Sequence, residues 1–186
     1  MYMHPTRGVE GLQEFGYRSG KSSNNSSDMN KKSRCLFIIL FMVGTLLSQL
    51  SFSQIKTIHF EQLDSLLKAE KKPVVVFLHT SWCKYCSTMK NTTFLNEEVV
   101  KLLNQKFYFV SLNIEEKSNI FFRGHTFKYK PTGTTTGVHE LAEQLGSVNG
   151  ELAYPTTCFL NADCEIIYRR EGYIQPKELL NILESL

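Results

Sequence analysis

The chain has 186 residues and a formal charge of +3 at pH 7, which allows one domain with additional segments. The excess positive charge lies among residues 1–53, with six Lys/Arg against three Asp/Glu, whereas residues 54–186 carry fifteen of each. A neutral main segment has no basic face for nucleic acid. Of the five cysteines only Cys83 and Cys86 lie close together, so a disulfide-rich scaffold is also excluded.

The first residues of the chain predict a disordered segment. Residues 1–28 are polar, rich in Gly, Ser and Asn, and show no hydrophobic period. We interpret Met29 as the physiological start, because a signal sequence begins at the initiator methionine.

Residues 29–53 have the order of a secretory signal peptide: basic residues, an apolar run over 35–47, and small residues at Ser51 and Ser53. We predict cleavage after Ser53 and export of residues 54–186, to the periplasm in a Gram-negative cell. The alternative is an uncleaved segment that anchors the domain to the inner membrane, facing the periplasm. The apolar run has thirteen residues, and a bilayer-spanning helix needs about 20, so cleavage is favoured.

Hydrophobic periodicity and capping residues predict the elements of the main segment in chain order. Asn96 is the expected N-cap of the third helix, and Pro176 the expected first residue of the last one. The predicted order is a helix over 58–69, a buried strand over 74–78, a helix from Cys83 to about 91–93, a helix to about 105, a strand over 107–114, a hairpin of 120–122 and 126–129, a loop over 131–137, a helix over 138–145, strands over 158–160 and 165–169, and a closing helix.

One pair of cysteines carries the predicted chemistry. Trp82, Cys83 and Cys86 follow the apolar strand 74–78, and the residues after them continue as a helix. Two thiols at this spacing can close into a disulfide ring and open again. The helix N-terminus and the neighbouring Lys84 favour the thiolate at Cys83, so its pKa is expected below the usual value of about 8.5.

The order of elements, the Trp82-Cys83-x-x-Cys86 motif and the later Tyr154-Pro155 pair resemble the thioredoxin-like superfamily over about 130 residues. The likeness is greatest to exported bacterial proteins with a signal peptide and one such domain. The resemblance implies an α/β thioredoxin fold, with a central mixed β-sheet flanked by helices. It also implies that Cys83 attacks, that Cys86 resolves, that Pro155 is cis and faces them, and that the backbone of Tyr154 pairs with a substrate strand.

The sequence departs from thioredoxins in three places. Phe77 stands where thioredoxins have a buried aspartate, six residues before the first cysteine, so the proton acceptor for Cys86 is not identified. Lys84 and Tyr85 replace the Gly-Pro between the cysteines and are expected to tune the redox potential. The hairpin and loop at about 115–137 form an insertion, read either as a substrate-selecting rim or as a passive loop.

The resulting prediction is an exported thiol–disulfide oxidoreductase without a bound cofactor, a reductase in preference to an oxidase. Its partners are protein disulfides or dithiols and an upstream redox protein, and it acts as a monomer. Trp82 shields the thiol pair and offers an apolar contact to partners. The alternatives are a copper or zinc metallochaperone-like module that uses Cys83, Cys86 and His79, and a redox-inactive peptide-binding module.

Two further cysteines are predicted to stand outside this chemistry. Cys158, on an expected central strand, is interpreted as a buried inert thiol, and Cys164 follows a turn. A bridge between them is not expected.

Overall fold

The structure is a computed structural model that describes residues 26–47 and 54–186. The chain divides into two compact units, 1–51 and 52–186. In the first, helix α1 spans Ser26–Leu47 and contains the apolar run of the predicted signal segment. Of the helices in the described part of the chain, none combines the length and apolar character required to cross a bilayer.

Two sequence predictions at the N-terminus fall mainly on residues that the structure does not describe. Residues 1–25, most of the predicted disordered segment, and the predicted cleavage position after Ser53 lie outside the described residues. Of the predicted disordered segment the structure describes only Ser26–Asp28, which form the first turn of α1, and the disorder of the segment stays a prediction.

The described part of the second unit, residues 54–186, contains five α-helices, one short 3-10 helix and eight strands. Its elements are α2 Phe60–Ala69, β1 Val74–His79, α3 Lys84–Asn91, the 3-10 helix Thr93–Leu95, α4 Glu97–Lys106, β2 Tyr108–Asn113, β3 Ile120–Phe122, β4 His125–Phe127, β5 Tyr129–Pro131, β6 Gly137–His139, α5 Glu140–Gly146, β7 Thr156–Leu160, β8 Ile166–Glu171 and α6 Pro176–Ser185.

The central sheet has the order β2-β1-β7-β8, with β1 and β2 parallel and the other pairs antiparallel. The segment before α2 also reaches the sheet, where Thr57 bridges to Phe109 of β2. The predicted α/β architecture, a mixed sheet flanked by helices, is confirmed.

Both faces of β1 are covered, which explains why its sequence has no polar alternation. Val74, Val76 and Leu78 face a core layer formed with α2, α5 and the β3–β4 hairpin. Val75 and Phe77 face a second layer, formed with α3, α4 and α6, that also holds both cysteines of the motif. The cysteine motif therefore follows a strand that is covered on both faces and begins the helix α3.

Helix α4 begins at the predicted cap. The side-chain oxygen of Asn96 accepts hydrogen bonds from the backbone N–H groups of Glu98 and Val99, both at 3.1 Å. We expect Asn96→Ala to lower the free energy of unfolding by about 1 kcal/mol, because two N–H groups lose their acceptor. Urea denaturation measures this. Asn181→Ala, the same change at an exposed position of α6, is the matched control, and equal losses in both variants would contradict the capping role.

The predicted hairpin in the insertion is present as β3 and β4, with Arg123 and Gly124 at positive φ in the turn. It packs on α2, where the rings of Phe60 and Phe122 lie 5.1 Å apart, and the backbone N–H of Arg123 donates to Asp64 at 3.0 Å. The hairpin is therefore part of the core.

The predicted loop is present over residues 132–136, whereas its two ends, Pro131 and Gly137, belong to strands β5 and β6. The predicted start of the next helix at residue 138 is wrong. Residues 131–137 form the end of a second hairpin, in which Val138 and His139 pair with β5, and α5 begins only at Glu140. The pairing needs a glycine at 137, because a Cβ there would collide with the ring of Tyr129. His139 then caps α5 by accepting from the backbone N–H of Leu141 at 3.3 Å.

Candidate redox site

Cys83 and Cys86 form a disulfide at the N-terminus of α3. Cys83 is the N-cap residue and Cys86 lies in the first turn, with their Cα atoms 5.2 Å apart. The backbone N–H of Cys86 points at the Cys83 sulfur, 3.1 Å away. Cys83 is 7% exposed and Cys86 is 1% exposed, so both residues are buried and Cys83 is the less completely buried of the two.

The position of Cys83 favours its ionised form once the disulfide is reduced. Its sulfur already accepts a backbone N–H, and the positive end of α3 lies against it. Both effects stabilise a thiolate over a thiol. Lys84 and Tyr85, between the two cysteines, are exposed in the first turn of the same helix.

Two aromatic residues stand beside the disulfide. The rings of Trp82 and Tyr154 meet edge to face with centroids 5.0 Å apart, and the residues are 59% and 40% exposed. The structure thus brings Tyr154, 72 positions later in the chain, against the residue that precedes Cys83.

Pro155 lies at the same edge of the sheet. Its peptide bond with Tyr154 is cis, the residue is buried, and its carbonyl accepts from the N–H of Gly172 at 2.7 Å. Strand β7 begins at the next residue, with Thr156 opposite Leu78. Because β1 ends where β7 begins, Pro155 lies at the end of β1 that leads into the cysteine motif.

Sequence reasoning did not single out Glu115, which belongs to this site. The indole N–H of Trp82 donates to its carboxylate at 3.1 Å. The available signal was topological: β1 and β2 are parallel, so the residues that follow their carboxyl ends meet at one edge of the sheet.

Phe77 occupies the position at which thioredoxins have a buried aspartate, and its ring packs in the core. Phe77 is fully buried, and the centroid of its ring lies 4.8 Å from that of Phe94 and 5.4 Å from that of His79. The ammonium of Lys90 contacts both ring nitrogens of His79 at 3.2 Å. Burial, reinforced by the positive charge of Lys90, lowers the pKa of His79 from 6.5 to about 4, so the imidazole is neutral at pH 7.

This pKa shift predicts a pH-dependent stability. Between pH 6.5 and about 4 the unfolded chain binds a proton at His79 that the folded chain does not, so the free energy of unfolding falls as the pH is lowered. We expect His79→Asn to flatten that dependence, measured by urea denaturation across the window. Lys90→Gln should flatten it less, because burial is the larger cause. Parallel curves for the parent and His79→Asn would contradict the assignment.

The cysteines and His79 do not converge on a metal site. Among the residues that the structure describes, no three His, Cys, Asp or Glu side chains are grouped so that they could hold an ion. His79 contacts Lys90, and the two cysteines bond to each other. The metallochaperone alternative therefore has no preformed three-ligand site in this part of the chain.

Cys158 and Cys164 are free thiols. Cys158 is fully buried and its sulfur donates to the carbonyl of Leu145 at 3.2 Å. Burial raises the pKa of the Cys158 thiol to about 12, so it stays protonated and unreactive at neutral pH. Burial also raises the pKa of Cys164.

Comparison with known proteins identifies the family. The model of the thioredoxin-like domain matches residues 60–186, more than half of the chain. The chain belongs to the thioredoxin-like domain family. The predicted membership of the thioredoxin-like superfamily is confirmed. The fold of this thioredoxin-like chain also matches a thioredoxin from Thermus thermophilus, with a TM-score of 0.51 and 21% identity over 71% of this chain and 86% of that one.

Two other similar proteins differ in how much they share with this thioredoxin-like chain. A structure described as DsbH oxidoreductase is 16% identical, has a TM-score of 0.48, and is matched over 71% of this chain and 83% of that one. Spermatogenesis-associated protein 20 of Mus musculus is 36% identical over 53 residues. That stretch is 28% of this chain and only 7% of the mouse protein. The thioredoxin-like fold together with the Cys83–Cys86 pair supports a thiol–disulfide oxidoreductase.

Proposed function

We propose that this protein is an exported thiol–disulfide oxidoreductase that exchanges disulfides with protein partners through Cys83 and Cys86. One observation carries the proposal: a disulfide at the start of α3, with Cys83 less completely buried than Cys86, inside a thioredoxin-like fold. This asymmetry matches the separate tasks of an attacking and a resolving thiol.

The exchange runs in two steps from the reduced protein. The Cys83 thiolate attacks one sulfur of a client disulfide, forms a mixed disulfide, and displaces the other client sulfur as a thiolate, which takes a proton from water. Cys86 then attacks the Cys83 sulfur and displaces the second client sulfur, which leaves as a thiol with the proton that Cys86 gives up. Two electrons pass to the client, and the Cys83–Cys86 disulfide is formed. A dithiol protein upstream must then reduce it.

The surrounding residues take supporting roles. Trp82 and Tyr154 form an exposed aromatic surface that supports docking of the client beside Cys83. The backbone of Tyr154, ahead of the cis Pro155, is proposed to pair with an extended client strand. Lys84 places a positive charge next to Cys83, and with Tyr85 it is proposed to set the redox potential.

The direction of electron flow is proposed to be reductive. The protein needs no bound cofactor for this exchange, since the cysteine pair itself carries the two electrons, and it is proposed to act as a monomer. We propose that residues 29–53 direct its export to the periplasm, either as a cleaved signal peptide or as an anchor in the inner membrane.

Equilibration with glutathione buffers tests the proposal. The fraction of Cys83–Cys86 disulfide is trapped by alkylation and measured by mass at each buffer ratio. A potential near about −270 mV is expected for a reductase, and one near about −120 mV would assign an oxidase instead. A Cys83–Cys86 disulfide that stays oxidised in glutathione buffers reducing enough to open the disulfides of redox-active proteins would contradict a redox role.

A further inference from the structure

An acidic side chain lies against the aromatic pair beside the disulfide. The carboxylate of Glu115 accepts from the indole N–H of Trp82 at 3.1 Å. The backbone N–H of Glu115 donates to the side chain of Asn113 at 3.2 Å, which holds the turn after β2. The Glu115 end of the contact is thus positioned by the edge of the sheet. We use the term rim site for Trp82, Glu115 and Tyr154.

The charge of Glu115 has no cation of its own chain within ion-pair distance in the described residues. The ion pairs found there join Lys71 to Asp163, Lys72 to Glu70, Lys130 to Glu143, and Arg170 to Glu178. Lys84, next to Cys83, takes no part in them. The three residues of the rim site therefore carry one negative charge, which no cation of the described residues pairs with.

The rings of Trp82 and Tyr154 also favour a positively charged ligand. A cation is attracted to the face of an aromatic ring, most strongly to tryptophan. Trp82 and Tyr154 are both partly exposed, and their edge-to-face packing holds the two rings in fixed orientations. An anionic group would be repelled by Glu115, and an apolar group would desolvate the carboxylate without replacing its hydrogen bonds.

We propose that the rim site binds a lysine or arginine side chain of the client protein, next to the client cysteine that Cys83 attacks. This inference rests on the proposed function and adds a substrate class to it: disulfides flanked by basic residues. Glu115 acts as a specificity-determining residue, because it supplies the charge and also holds Trp82 in place.

Matched peptides test the inference. Three disulfide-linked peptides differ only in the residue beside one cysteine, which is Lys, Gln or Glu, and each reacts with the reduced protein. We expect kcat/KM for the Lys peptide to exceed that for the Glu peptide by about tenfold at low ionic strength, from one exposed charge pair and one cation–π contact. The ratio should decrease towards about twofold in 1 M salt, because salt screens the charge.

Variants assign the preference to Glu115. Glu115→Gln keeps a hydrogen-bond acceptor for Trp82 but removes the charge, and should lower the Lys-to-Glu ratio to about twofold, the part that the cation–π contact supplies. Glu115→Lys should invert it. The matched control is Glu116→Gln, which removes the neighbouring charge of a side chain that binds the backbone N–H of Ser118 and should keep most of the ratio. Thermal unfolding of each variant checks that the fold is retained.

The outcomes separate the two proposals. A parent protein that reacts with all three peptides at equal rates, or a ratio unchanged in Glu115→Gln, would overturn the rim site but leave the oxidoreductase assignment intact. A parent protein that reduces none of them, under conditions where its own pair is reduced, would overturn the proposed function.

Discussion

Replacement of Cys83 by serine should reduce the rate of protein-disulfide reduction to that of the uncatalysed reaction. Cys83 is the less buried residue of the pair and the N-cap of α3, where the helix favours a thiolate, and the hydroxyl that replaces its thiol provides no thiolate to attack a disulfide. Reduction of insulin disulfides, followed by turbidity with an excess of dithiothreitol, measures the loss. A Cys83→Ser variant as active as the parent would contradict the mechanism.

Cys86→Ser should fail at the second step instead. Its Cys83 still attacks the client, but no thiol remains one helical turn away to displace it, so the mixed disulfide accumulates. Mass spectrometry of the alkylated mixture should show client adducts in Cys86→Ser and none in Cys83→Ser. Cys164→Ser is the matched control, because it removes a free thiol outside the site and should change neither readout.

The parts of the fold that the sequence predicted are those decided by local pattern. Strand β1 is an unbroken apolar run because it is buried on both faces, and Asn96 is recognisable because a cap acts on the backbone two and three residues ahead. The spacing of Cys83 and Cys86 places both thiols within one helical turn, which is enough to predict disulfide chemistry. These features need no knowledge of the rest of the chain.

The parts that the sequence missed depend on contacts between distant residues. Strands β5 and β6 have three residues each, too short for a period, and they are held by pairing and by the close approach of Gly137 to Tyr129. Glu115 meets Trp82 across 33 residues, through the parallel pairing of β1 and β2. Without the pairing of these two strands, a lone glutamate after a strand gives no sign of such a contact.

Phe77→Ala should lower the free energy of unfolding by about 3–5 kcal/mol, because Phe77 is fully buried and its loss leaves a cavity between β1 and α3. Urea denaturation measures the change. Phe121→Ala removes the same ring from an exposed position of β3 and should cost less than about 1 kcal/mol. Similar losses in both variants would contradict the central place of Phe77 in the core.

Phe77→Asp should destabilise the protein more than Phe77→Ala does. It introduces the aspartate that thioredoxins have at this position, where the present chain has an apolar contact. The carboxylate would be buried beside Phe94, with Lys90, whose ammonium lies 5.9 Å from the centre of the Phe77 ring, as the neighbouring cation. Burial without a full set of hydrogen bonds raises the pKa of a carboxyl group. Phe77→Asp should therefore be less stable than Phe77→Ala at pH 7, and the gap should narrow as the pH falls and the carboxylate is protonated. A gap that stays constant from pH 7 to pH 5 would show that Lys90 or water already stabilises the charge.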